Sequence, residues 1–321
     1  LTAGCTVLAA PSIGAGLDTD ALARYVLGRR TSAGGYSFYR VARWGVEEPS
    51  APDTLAALGS LRLLGLGPPH DSATVRWLRD LQLPNGGYPT RVIGWAALLS
   101  LDLLGASPRT PAARWAARWA GTVGVRKGDQ AWRAVLADAA HLTDVLQLGG
   151  GAITPDVVAR LAAVLGRARA PTGAWARPEA DLETTGTAGS LAAAAGTTVR
   201  DRGSEDFLRS CEDPAFGFRV RPDARATSVG ALRGGLWLCG AWGVPVRYPV
   251  AVAGALARLQ RADGGLGARD RAISTLQATW TGLRAARLLD DGQVPAGGVR
   301  DAGLWRSSHQ PELIANRQSA T

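Results

Sequence analysis

Apolar and polar positions along this chain fall into one recurring unit. An amphipathic helical stretch runs into Gly-Gly-aromatic. A short polar loop follows, and a second, more apolar helical stretch then starts at Asp or Thr and closes on Leu-Leu-Gly. In the first unit these marks are Gly34-Gly35-Tyr36, Asp53-Thr54-Leu-Ala-Ala-Leu58 and Leu63-Leu64-Gly65. The second has Leu81-Gln82, Gly86-Gly87-Tyr88, Thr90, Trp95-Ala-Ala-Leu98 and Leu103-Leu104-Gly105. A degenerate third runs from Trp115 through Gly124 and Asp129 to Leu146-Gln-Leu148-Gly149. The fourth shows Gly173-Ala-Trp175, Asp181-Leu-Glu183-Thr-Thr185 and Leu191. The fifth carries Cys211, Phe216-Gly217-Phe218, Asp223, Ala231-Leu232 and Leu238-Cys239-Gly240. The sixth carries Leu259-Gln260, Gly264-Gly265-Leu266, Asp270, Thr275 and Leu288-Leu289. Recurrence of this kind marks a repeat architecture.

Each mark has a physical reason. Gly pairs supply the positive φ that a tight turn needs after a helix. Asp or Thr at the start of a second helix caps its free backbone N–H groups. Each hairpin is apolar on more than one face, so none is stable alone and stacking buries the seams. The second helices are richest in Ala and other small residues and are predicted to form an inner ring. Their starts then share one rim of a central cavity, where the helix dipoles favour an anionic group. Six hairpins are enough to close such a ring. The expected fold is all-α, a single α/α toroid domain over 1–321 with 291–321 as a C-terminal tail.

Composition agrees with a large helical core: 46% of the 321 residues are apolar, and aromatics are few apart from eleven Trp. The formal charge of +9 comes almost wholly from arginine, since Lys127 is the sole lysine. The charges are scattered, which argues against a nucleic-acid partner. Cys5, Cys211 and Cys239, and His70, His141 and His309, are too widely spaced to encode a disulfide framework or a local metal site. No apolar run reaches the roughly eighteen residues of a spanning helix. Leu1-Thr-Ala-Gly-Cys5 has some look of a lipoprotein cleavage box. Thr2, however, sits where such boxes prefer Leu, and no basic or apolar leader precedes it. An ordinary helix lead-in and a cytoplasmic location are expected.

Gln82-Leu-Pro-Asn-Gly-Gly-Tyr88, Gln260-Arg-Ala-Asp-Gly-Gly-Leu266 and Cys211-Glu-Asp-Pro-Ala-Phe-Gly-Phe218 resemble the repeats shared by prenyltransferase β subunits and squalene cyclases. The resemblance implies an α/α toroid whose central cavity holds an isoprenoid chain. Zinc-dependent members carry Asp-x-Cys at one inner helix start and a His on the next. Here Asp223-Ala-Arg225 has arginine for the thiolate, and the stretch near Ser274-Thr275 has no histidine, so zinc is not expected. Cyclases that protonate an alkene use the middle Asp of Asp-x-Asp-Asp. Asp181-Leu-Glu183-Thr184 approximates it with Glu as donor, and Asp53-Thr54 matches only its tail. Asp181, Glu183 and Asp53 are thus the candidate acids, with helix capping as the competing role.

Arginines cluster in the loops before the second helices, and Arg40, Arg177, Arg219, Arg221 and Arg225 are candidate diphosphate ligands. An ion-paired, solvated loop is the competing role. Trp44, Trp95, Trp175, Trp237 and Trp280 can line a cavity and stabilise a carbocation, or simply fill a wide ring. The expected function is an isoprenoid-processing enzyme acting on a prenyl diphosphate or related isoprenoid, with no cofactor or with Mg²⁺ on the diphosphate. Acid-initiated cyclisation is its boldest form. The alternative is a non-catalytic toroid that binds a lipid, peptide or partner protein.

Overall fold

Two kinds of helix alternate because two kinds of sequence do. The structure, a computed structural model, describes residues 16–38, 40–41, 46–67, 71–125, 131–148, 152–176 and 179–291, with backbone only at 40, 41 and 46. Helices α1 (Thr19–Leu27), α3 (Ser72–Asp80), α5 (Ala113–Thr122), α7 (Pro155–Ala168), α9 (Arg202–Cys211) and α11 (Pro249–Leu259) bury one face each. Between them come α2 (Ala51–Leu63), α4 (Arg91–Leu103), α6 (Trp132–Leu146), α8 (Leu182–Ala194), α10 (Val229–Trp242) and α12 (Leu276–Asp290). These bury more of their circumference; in α2 every residue from Thr54 to Leu61 is buried. A one-faced helix belongs on an outside layer, and one apolar nearly all round must be enclosed. The protein is all-α, apart from two small antiparallel ladders among the described residues. These are β1 (Arg40–Val41) with β2 (Val46–Glu47), and β3 (Glu212–Asp213) with β4 (Gly217–Phe218).

The even-numbered helices pack in sequence order. Helix α2 lies on α4, α4 on α6, α6 on α8, α8 on α10, α10 on α12, and α12 on α2. Where α8 meets α10 the backbones nearly touch: a Cβ on Gly186 would lie 2.6 Å from Gly234 Cα. Elsewhere an indole fills the seam, Trp237 over Gly189 and Trp280 over Gly59.

The glycine turns dock each hairpin onto the next outer helix. Gly34 and Gly264 have φ of 88° and 93°. A Cβ on either would overlap the first turn of α3 at Ala73 or of α1 at Ala21, so both the turn and the close approach require glycine. Six residues before Tyr36, Tyr88, Trp175, Phe218 and Leu266 stands a long polar side chain that reaches the start of that same outer helix. Arg30 bonds Asp71, Gln82 bonds Thr110, Arg169 bonds Asp201, Glu212 bonds Arg247, and Gln260 bonds Asp18. Gln82 Nε2 donates to Thr110 O at 2.8 Å while Thr110 N donates back to Oε1 at 3.0 Å. Gln260 makes the same pair with Asp18, at 2.9 Å in both directions, and so joins the loop after α11 to the start of α1.

Within a hairpin the link is a threonine. Thr54, Thr185 and Thr279 each donate to the carbonyl of their helix N-cap and accept the N–H of Tyr36, Trp175 or Leu266. Thr90, Asp181 and Thr275 cap α4, α8 and α12 as their positions in the repeat predict. Two starts differ from expectation. Ser50, not Asp53, caps α2, because Pro52 suits the first turn and lets the helix begin earlier. Ser228, not Asp223, caps α10, because Val220 N bonds Ala226 O and holds the preceding residues in a loop. Asp129 lies outside the described residues, and α6 starts at Ala131 without a side-chain cap. No helix among the described residues is long and apolar enough to cross a membrane.

Candidate functional site

Charged side chains on the even-numbered helices are few, and several of them meet. Arg233 is the only charged residue of α10. Arg284 sits in the third turn of α12, Asp144 in the last turn of α6 and Glu183 in the first turn of α8. Trp95 of α4 donates its Nε1–H to Asp144 Oδ2 at 2.9 Å. The same indole stacks on His141, with ring centroids 3.9 Å apart and planes at 24°. Asp144 interacts electrostatically with both Arg284 and Arg233, Arg233 also with Glu183, and the two arginines with each other. In the packing order α6 and α12 stand three steps apart in either direction. Asp144 is thus coupled to an arginine on a helix separated from its own by two others in either direction. Asp144, Arg233 and Arg284 are surrounded by protein, yet each keeps some accessible surface.

This placement sets the chemistry. Burial pushes the Asp144 carboxyl up to about 6, against the opposing pull of the Trp95 hydrogen bond and the two arginines. Burial pushes His141 down to about 4, outweighing the nearby Asp138 carboxylate, so the imidazole is neutral at pH 7. Arg284 is lowered to about 9, by burial and then by the like charge of Arg233, and its guanidinium carbon lies 5.0 Å from the Trp280 ring centroid. The site therefore offers a carboxyl that titrates near neutrality, two adjacent guanidinium groups and indole surfaces. Such a set can donate a proton, hold an anion and face an apolar or cationic group.

Of the expected acids, Asp181 is buried and fully engaged: it caps α8 by accepting from Thr184 N at 2.8 Å and pairs with Arg133. Glu183 turns away from that cap, lying against Gly230 and towards Arg233. Asp53 accepts from Phe38 N at 3.0 Å and braces its loop. Arg219 donates to Pro222 O at 2.7 Å and pairs with Asp213, and Arg221 pairs with Asp223 and Glu179. Arg225 is exposed. Arg177 and Trp44 lie outside the described residues, as does the side chain of Arg40. Trp175 is buried, donates to Leu165 O at 3.0 Å and carries Arg169 over its ring. Trp237 and Trp280 fill helix seams, and Trp280 also borders Arg284.

Asp144, His141, Arg233 and Arg284 were missed by motif spacing. The signal they do carry is a lone charge within an apolar helix, plainest for Arg233 in Val229–Trp242. Cys211 and Cys239 are buried free thiols, both pushed up to about 12 by burial, and stay protonated at pH 7. Among the described residues no three His, Cys, Asp or Glu side chains converge as a metal site.

No family model matches the chain, and no curated protein does. Among solved structures, the crystal structure of a protein from Actinoplanes is similar at 19% identity over 85% of this chain and 100% of that one, with a TM-score of 0.48. A likeness this distant carries no argument about function.

Proposed function

We propose that the even-numbered helices close into an α/α toroid, and that the chain is an isoprenoid-processing enzyme working inside it without zinc. The observation that carries this reading is Asp144, a carboxyl of α6 held by Trp95 of α4 and titrating at about 6. Support for closure comes from the packing of α12 on α2 and from the Gln260–Asp18 pair. Support for the substrate class comes from the resemblance of the Gly-Gly repeats to those of prenyltransferases and squalene cyclases, and from the indoles beside the charged groups. In the proposed step the Asp144 O–H bond breaks and its proton goes to an alkene carbon. The π pair becomes the new C–H bond, leaving a carboxylate and a tertiary carbocation that an indole face stabilises. Return of a neighbouring C–H proton to the Asp144 carboxylate restores the acid and releases a cyclised or isomerised alkene. Glu183, beside Arg233, is the second candidate donor; Asp181 is committed to its cap and to Arg133.

Incubation with geranyl, farnesyl and geranylgeranyl diphosphates, read by mass spectrometry, tests this reading. A new isoprenoid product is expected, with turnover in Asp144→Asn reduced at least about 100-fold, as loss of a general acid implies. Full activity in that variant removes Asp144 as the donor, and Glu183→Gln assayed alongside tests the second carboxylate. Binding of these compounds without any turnover by the unaltered protein favours the non-catalytic toroid instead.

A further inference from the structure

We propose that His141 is a positioning residue: its ring fixes the plane of Trp95, and Trp95 in turn holds Asp144 in one orientation and decides which carboxyl oxygen carries the proton. The inference deepens the proposed function and rests on its reading of Asp144 as the acid. The three side chains come from two helices that pack on each other, Trp95 from α4 and both His141 and Asp144 from α6. On α6 a spacing of three residues puts the imidazole and the carboxyl on one face, so a single side chain from α4 can meet both. The indole does so. It lies over His141 with ring centroids 3.9 Å apart and planes at 24°, while its Nε1–H donates to Asp144 Oδ2 at 2.9 Å. The torsion that turns an indole about its Cβ–Cγ bond is broad, so a hydrogen bond at the ring edge keeps its aim only where the ring face is held. His141 supplies that hold. An indole N–H donates and cannot accept, so Oδ2 takes the carbonyl role when Asp144 is protonated, and the acidic hydrogen sits on Oδ1. Burial keeps the imidazole neutral at pH 7, so it lends a flat surface without a charge that would draw the proton off Asp144. Arg284 and Arg233 also act on Asp144, and Asp138 acts on His141. Those charges set how readily the groups titrate, whereas the stacked indole sets where the carboxyl points.

The Trp95 indole N–H reports on this arrangement directly. In proton–nitrogen correlation NMR spectra of the full chain, its resonance is assigned by its loss in Trp95→Phe. That resonance should shift with pH as Asp144 titrates, at about 6, and Asp144→Asn should remove the shift. His141→Phe keeps a flat, uncharged ring and should keep the shift. His141→Leu fills similar space without a flat face and should lose it. In isoprenoid turnover His141→Leu should lower kcat on the order of 10- to 100-fold with KM nearly unchanged, as misplacement of a reacting group implies. His141→Phe should recover most of that loss. A residue that merely fills space is replaced as well by Leu as by Phe, so equal N–H titrations in the two variants overturn the positioning role. Should His141→Phe fail to fold, a shift in His141→Leu equal to the parent's overturns it alone. Loss of the shift in His141→Leu, with no prenyl turnover even by the parent, leaves the positioning standing and removes the enzymatic reading. Turnover by His141→Leu at the parent's rate does the reverse.

Discussion

At Gln82 a single amide group both donates to and accepts from Thr110, because the glutamine side chain carries both functions. Arginine cannot accept, and where Arg30 and Arg169 fill the same place their partners are the carboxylates of Asp71 and Asp201. Glutamate cannot donate, and Glu212 faces the backbone N–H and guanidinium of Arg247. One contact is thus made with three chemistries, each matched to the residue that opens the next outer helix. Gln82 is buried whereas Thr110 is exposed, so Gln82→Ala removes the clasp but leaves the Thr110 backbone groups open to water. The expected cost is about 0.5–1.5 kcal/mol for each bond lost, read as a lower midpoint in urea unfolding. An unchanged midpoint would show that the clasp follows from the fold and does not hold it.

At the level of helices, glycine does two opposite things. On α8, Gly186 lets the backbone of α10 approach until a Cβ would meet Gly234 Cα at 2.6 Å, and neither backbone can yield. Gly186→Ala is expected to destabilise by about 1–3 kcal/mol through overpacking, despite the helix propensity it gains. On α7, a Cβ at Gly166 meets nothing within 4 Å, so Gly166→Ala should stabilise by about 0.5–1 kcal/mol. Unfolding midpoints of opposite sign test the assignment of α8 to the inner layer and α7 to the outer. Much of this layering is legible in the sequence, since Gly-Gly-aromatic turns and caps such as Thr90 and Thr275 recur locally. Helix starts are legible only where one capping residue is present. Asp53 and Asp223 compete on paper with Ser50 and Ser228, and proline and loop hydrogen bonds decide between them. The charged group at the centre is least legible. Glu183, Trp95 and Trp280 lie near repeat marks, whereas Asp144 meets Arg233 and Arg284 only through the packing of helices far apart in the chain.

For the molecule as a whole, the pH dependence of stability reports whether that centre stays enclosed. Asp144 and His141 lie one turn apart on α6, and burial moves them in opposite senses. Asp144 titrates at about 6 when folded, against 3.8 for the free group, so between those values the folded state binds more protons and stability falls as pH rises. His141 titrates at about 4 when folded, against 6.5, so between those values the unfolded state binds more protons and stability rises with pH. The two slopes oppose each other over nearly the same window. Asp71 and Asp201, both held below the usual carboxylate value, act only at lower pH. In the unaltered protein the stability profile between pH 4 and 6 is therefore expected to be shallow. Asp144→Asn should uncover the rising limb of His141, and His141→Gln the falling limb of Asp144. Urea unfolding across that range separates them. These shifts exist because burial outweighs the Trp95 hydrogen bond and the charges of Arg284 and Arg233 at Asp144, and the charge of Asp138 at the imidazole. An assembly open along one seam would hydrate both groups and return them towards their ordinary values. Shallow, identical profiles in both variants would mark an open assembly, whereas slopes of opposite sign are what a closed ring of helices requires.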